Sequence, residues 1–214
     1  MPIKVRSPII DYFGFEKPFR CGLFGSSRVG KTTMIYNLLK KQMFDSDFSI
    51  IYYCYPSLYQ NKLDWHEKLN YVIEFLDYIP NKDFFDNIEE NSLVIIDDCW
   101  YTSTQTEAIR DLFKVLSGKK NVSVFITSQN PFEGGTHART IRNNLNHFIL
   151  FKNLGDYQIN RKLCQQLGML SRYDKAAIVL DKRYESIWIN LDVTLKNEEL
   201  RLSTNIFDLP IVYA

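Results

Sequence analysis

Gly25-Ser26-Ser27-Arg28-Val29-Gly30-Lys31-Thr32 follows a short apolar run, residues 19–24, and opens residues 32–42, where Met34, Ile35, Leu38 and Leu39 recur at helical spacing. Strand, glycine loop and helix are expected in that order. The pattern G-x-x-x-x-G-K-[ST] thus stands where it has a physical use. Glycines let the backbone curl so that successive N–H groups converge, and the helix N-terminus adds partial positive charge. The concavity suits a phosphate chain. In that reading Gly25, Ser26, Ser27, Arg28, Val29, Gly30, Lys31, Thr32 and Thr33 cradle ATP, Lys31 reaches the β- and γ-phosphates, and the Thr32 hydroxyl ligates Mg²⁺. The plainer alternative is a glycine turn that caps an ordinary helix.

Outward from the loop, residues 48–55 read as a second strand closed by Pro56, and residues 70–76 as a weaker third. Leu93-Val94-Ile95-Ile96 is a continuous apolar run, as in a strand buried on both faces. Residues 104–116 carry Ile109, Leu112, Phe113 and Leu116 on one helical face, and residues 121–127 and 146–152 read as further strands. Residues 176–180 and 186–191 are expected to close the chain as a β-hairpin. Strands alternating with helices imply a mostly parallel sheet in an α/β fold.

Asp97 and Asp98 stand at the end of the most apolar strand, the edge where open parallel sheets place ligands. Asp97 is the candidate for the Mg²⁺ shell. Asp98 either orients or deprotonates an attacking water or is a solvated turn residue. Gln129, just past the strand at 121–127, either reaches a γ-phosphate or bonds the loop backbone. His66, His137 and His147 lack ligand spacing, so no site for a transition metal is read into them. Tyr52, Tyr53, Tyr55 and Tyr59 are expected to pack rather than to stack on bases.

With 45% hydrophobic and 24% charged residues among 214, the composition is that of a globular chain. Lys+Arg 26 against Asp+Glu 25 gives a net charge of +1, so any grip on nucleic acid must come from a local patch or a ring of subunits. Cys21, Cys54, Cys99 and Cys164 show no CxxC pairing, which favours a reducing compartment. No stretch approaches the length of a membrane span, and residues 1–11 lack a signal core. A soluble, intracellular protein is expected.

Several segments carry a resemblance beyond the phosphate loop. Ile95-Ile96-Asp97-Asp98, Ser123 to Phe132 with its Thr127-Ser128-Gln129-Asn130 centre, and Gly135 to Asn144 followed by Phe148 to Asn153 are similar to the poxvirus and Polinton-type genome-packaging ATPases of the FtsK/HerA superfamily. The tail from Leu200 to Phe207 is similar to the same family. The resemblance implies a P-loop NTPase fold, RecA or FtsK/HerA-like, with a central mostly parallel sheet and a C-terminal β-hairpin. It further implies a Mg²⁺-dependent ATPase that threads double-stranded DNA into a preformed capsid. Such a motor works as a hexameric or pentameric ring, contacts capsid proteins, and acts in an infected cell or assembling virion.

A ring ATPase often sets an arginine of one subunit against the γ-phosphate of its neighbour; Arg139, Arg142 and Arg161 are the candidates, with a surface ion pair as each one's alternative. Lys119-Lys120 and Lys182-Arg183 are the candidate DNA-contacting pairs, or else solvated loops. The expected organisation is a single ATPase domain over residues 1–214, with an extension at 1–18, a core at 19–160 and a C-terminal part at 161–214. A P-loop kinase and a non-enzymatic nucleotide-binding assembly subunit are the rival functions.

Overall fold

The computed structural model describes residues 3–4, 14–55, 64–152, 155–180, 184–208 and 210–213. Its strands are β1 (Ile3–Lys4), β2 (Arg20–Phe24), β3 (Ile51–Cys54), β4 (Ile73–Leu76) and β5 (Leu93–Ile96). Then come β6 (Ser123–Ser128), β7 (His147–Phe151), β8 (Ser186–Asn190), β9 (Leu202–Thr204) and β10 (Ile211–Val212). They join in one sheet of order β1-β10-β9-β8-β7-β2-β6-β5-β3-β4. The six strands from β7 to β4 are parallel, and β8, β9, β10 and β1 extend them antiparallel.

Alternation along each central strand explains how the sheet is covered. Phe24, Val94, Ile96, Val124, Ile126, Phe148 and Leu150 belong to one core cluster, whereas Cys21, Leu23, Leu93, Ile95, Phe125, Ile149 and Phe151 belong to the other. Successive side chains point to opposite faces, so both faces of the sheet must be buried. On the second face lies α1 (Lys31–Lys40), through Met34, Ile35, Leu38 and Leu39. Phe15, Phe19, Phe44 and Phe125 pack beside them with ring centroids 4.7–6.3 Å apart.

Two short helices, α2 (Trp65–Lys68) and α3 (Lys82–Asp86), were not signalled by periodicity. Nor was α4 (Trp100–Ser103). The helix expected over 104–116 begins later, as α5 (Glu107–Asp111), and continues through a π-helical stretch, Leu112–Leu116, into α6 (Ser117–Lys119). Thr104 is drawn out of it, because its hydroxyl accepts from the Gly135 N–H (2.6 Å) and its carbonyl from the His137 N–H (2.8 Å). On the first face α7 (Ala138–Asn143), α8 (Tyr157–Gln166) and α9 (Leu170–Val179) supply Ile141, Leu163, Cys164, Tyr173 and Ala176.

One expected strand is overturned. Residues 176–179 are the last turn of α9, and Leu180 follows it. Ala176-Ala177-Ile178-Val179 is short and apolar, and periodicity alone cannot separate such a run from a helix end. Tyr173 and Ala176, three residues apart, are buried, while Ile178 is 84% exposed. The antiparallel closing strands are instead β8, which pairs with β7 and β9, and β10, which pairs with β9. The second and third strands are also shorter than expected, 51–54 and 73–76.

Candidate functional site

The C-terminal edge of the parallel strands gathers the candidates. β6 lies between β2 and β5, so the loop after β2, the residue past β6 and the acidic pair past β5 are neighbours. Within the loop, Gly30 adopts φ 100°, a left-handed conformation that favours glycine, and caps α1. Lys31 is buried, and its Nζ donates to the carbonyls of Gly25 (2.8 Å) and Ser26 (3.0 Å). Burial pushes the Lys31 ammonium below the usual lysine range, while Asp98, Asp97 and Asp156 pull it back up. Ser27, Arg28 and Thr33 are exposed and Ser26, Val29, Gly30 and Thr32 half-buried.

Asp97 is buried and fully engaged. Its Oδ2 accepts from the Thr32 hydroxyl (2.7 Å) and the Tyr53 phenol (2.5 Å), and its Oδ1 from the Thr127 hydroxyl (2.7 Å). Burial, and then the charge of Asp97, hold the Tyr53 phenol well above its ordinary value, so it stays a donor. Thr127 in turn accepts from the Asp98 N–H at 2.9 Å, which supports Asp98 at φ 56°. Asp98 is exposed and lines the same cleft as Lys31, Thr32 and Asp97, a cleft of about 1160 Å³. Gln129, also exposed, donates from Nε2 to the Ser27 hydroxyl at 3.0 Å.

Three residues of this network were missed in the sequence. Tyr53 packs as expected, and its hydroxyl also reaches Asp97; Thr127 joins β6 to both aspartates. Asp156, the residue before α8, is buried, and its carboxylate accepts from the Ser26 N–H and hydroxyl, each at 2.7 Å, rather than from the helix. The strand-to-helix change near residue 156 was the one available signal for it.

The arginines divide. Arg161 forms a two-pronged pair with Asp174 on α9, at 3.0–3.3 Å. Arg142 donates to the Pro131 carbonyl (2.8 Å) and lies over the Phe132 ring at 4.7 Å. Arg139, in the first turn of α7, is exposed and has no polar partner among the described residues. Lys119 and Lys120 precede β6 and therefore stand at the opposite edge of the sheet, with Lys120 Nζ donating to the Asp86 carbonyl. Lys182 and Arg183 lie outside the described residues, as do Asn153 and Tyr59.

The four cysteines are buried and unpaired. Among the described residues no group of three or more His, Cys, Asp or Glu could hold a metal. His147 is buried in β7, its Nδ1 accepting from the Trp188 indole at 3.2 Å, and burial lowers its pKa to about 3. No helix is long and apolar enough to cross a membrane among the described residues.

Sheet order and loop together define a P-loop NTPase fold. No protein-family model and no curated protein matches the sequence. Among solved structures the chain is similar to B204, the DNA-packaging ATPase from Sulfolobus turreted icosahedral virus, with a TM-score of 0.56, 14% identity, and 85% of this chain and 96% of that one covered. It is also similar to the genome-packaging NTPase B204 from Sulfolobus turreted icosahedral virus 2. The complex with ATP-gammaS gives a TM-score of 0.52 at 15% identity, over 81% of this chain and 93% of that one. The complex with AMP gives 0.53 at 16%, over 81% and 92%. At these identities the likeness is one of fold.

Proposed function

We propose that the chain is a Mg²⁺-dependent ATPase that translocates double-stranded DNA. By the resemblance of its motifs it would be a packaging motor of the poxvirus and Polinton type within the FtsK/HerA superfamily, acting as a ring on a capsid. One observation carries the nucleotide part: the Thr32 hydroxyl and Asp97 Oδ2, 2.7 Å apart, stand at the mouth of the loop in the cleft that Lys31 and Asp98 also line. Such oxygen donors suit a hard cation, so the residues present fit Mg²⁺. When bound, the ion would neutralise charge on the β- and γ-phosphate oxygens. Lys31 would leave the Gly25 and Ser26 carbonyls for those phosphates, and Tyr53 and Thr127 would keep the Asp97 carboxylate aimed at the Thr32 hydroxyl.

Asp98 has the exposure that a base acting on water needs, and Asp97 does not. Asp98→Asn is therefore expected to keep Mg·ATP affinity near that of the parent and to slow hydrolysis about 10²-fold. Titration of Mg·ATP and steady-state phosphate release separate the two; normal hydrolysis by the variant makes Asp98 a turn residue.

The DNA part rests on the motif resemblance, supported by the shared fold with DNA-packaging B204. Phosphate release measured with and without double-stranded DNA tests it, and stimulation is expected. A motor that moves along a genome holds phosphates rather than reading bases, so binding should tolerate any sequence and fall steeply with salt. A sequence-selective footprint, or affinity indifferent to salt, contradicts translocation.

A further inference from the structure

We infer that the pocket between the ends of β8 and β9 holds the nucleobase of the triphosphate, with Tyr184 and Phe207 as its aromatic walls; the inference rests on the ATPase reading above. Strand register supplies the first argument. Ser128, Phe24, Leu150, Ile187 and Thr204 form one row across β6, β2, β7, β8 and β9. The phosphate loop leaves β2 one residue beyond that row. Toward β5 the edge carries Gln129, Asp97 and Asp98, the polar end where the γ-phosphate and its cation belong. The nucleoside must then run the other way, toward β8 and β9, two and three strand spacings from β2, or about 10 and 14 Å.

That end of the edge is built differently. Met34, Tyr184 and Phe207 wall the phosphate cleft and also a second pocket of about 250 Å³ that reaches Ser186, Thr204 and Ile206. Concave sites that join apolar and aromatic walls to a small set of polar groups, here Glu185, Ser186, Thr204, Asn205 and Asp208, are those that hold ligand rings. The Tyr184 ring lies against the loop itself: a Cβ at Gly30 would come within 3.3 Å of its Cδ1. Phe207 is tied to α1, because Lys41 Nζ donates to its carbonyl (3.1 Å) and stands 5.2 Å from its ring centroid. The loop, α1 and the two aromatic rings are thus one assembly, with phosphate donors at one end and π-faces at the other.

A base packed on aromatic side chains gains affinity that a bare phosphate chain does not, and losing one such ring weakens binding about 10-fold. Titration of the 214-residue protein with Mg·ATP and with inorganic tripolyphosphate tests the assignment. Tyr184→Ala and Phe207→Ala are each expected to raise the Kd for ATP about 10-fold and to leave that for tripolyphosphate within about twofold. Tyr184→Phe, which keeps the ring, should bind ATP as the parent does. Retained tripolyphosphate binding also certifies that the variants fold. The base pocket is overturned if either alanine variant binds ATP normally, if ATP and tripolyphosphate are lost together, or if Tyr184→Phe fails as Tyr184→Ala does. Lys31→Ala serves as the separate control: it should weaken both ligands, and if it leaves tripolyphosphate untouched the phosphate-loop reading fails on its own account.

Discussion

Lys31→Ala is expected to lower ATP hydrolysis about 10³-fold, the upper range for removing one preorganised group that stabilises transition-state charge. The structure explains why no neighbour substitutes. Among the described residues, Lys31 and Arg28 are the cations lining the cleft, and Arg28 is exposed on the loop, held in the left-handed region at φ 63°. Lys31 alone is buried beneath the loop, bonded to the Gly25 and Ser26 carbonyls that a bound phosphate chain would replace. Burial pushes its ammonium below the usual lysine range, and Asp98, Asp97 and Asp156 oppose that shift. Lys31→Arg should not rescue, since a planar fork does not fit a pocket shaped for a point charge. Phosphate release and tripolyphosphate binding check both variants. Turnover at the parental rate in Lys31→Ala removes the phosphate loop from the mechanism.

The parts of this site that were legible in the sequence are those in which chemistry and local geometry share one short segment. Gly25 to Thr32 carries its strand, its left-handed Gly30 and its helix within one stretch, and Asp97 and Asp98 end the most apolar run. Gln129 stands beside the acidic strand because β6 pairs with both β5 and β2, an adjacency that sheet order and not the local sequence decides. The parts that were not legible depend on partners far apart in the chain. Asp156 meets Ser26 across 130 residues and Tyr53 meets Asp97 across 44, contacts created by sheet order and not by any pattern around either residue. Residues 176–179 failed for a local reason: four small or branched apolar residues fit a strand and a helix end equally well, and the burial of Tyr173 and Ala176 decides for the helix.

The three candidate arginines differ in what surrounds them. All three candidates are alike in sequence, yet two are engaged within the chain, Arg161 by Asp174 and Arg142 by the Pro131 carbonyl and the Phe132 ring. Arg139 is exposed at the start of α7, on the segment that leaves the C-terminal edge of β6, the edge that carries the cleft. A surface arginine in that position has a use if it completes the site of an adjacent subunit, where charge develops on the transferred phosphoryl group. Arg139→Ala is expected to cut hydrolysis about 10³-fold while leaving Mg·ATP and tripolyphosphate affinity intact, because the arginine acts on the transition state and not on the bound nucleotide. If the chain works as a ring and Arg139 acts across it, activity per subunit of the parent should rise with protein concentration. Mixing Arg139→Ala with Lys31→Ala then separates action within a subunit from action between subunits. In a mixed ring the Arg139 of the second variant faces the intact loop of the first, so two inactive proteins should regain activity together. If Arg139→Ala alone hydrolyses as the parent does, Arg139 is a solvated charge; if it is inactive and mixing restores nothing, any action it has lies within its own subunit.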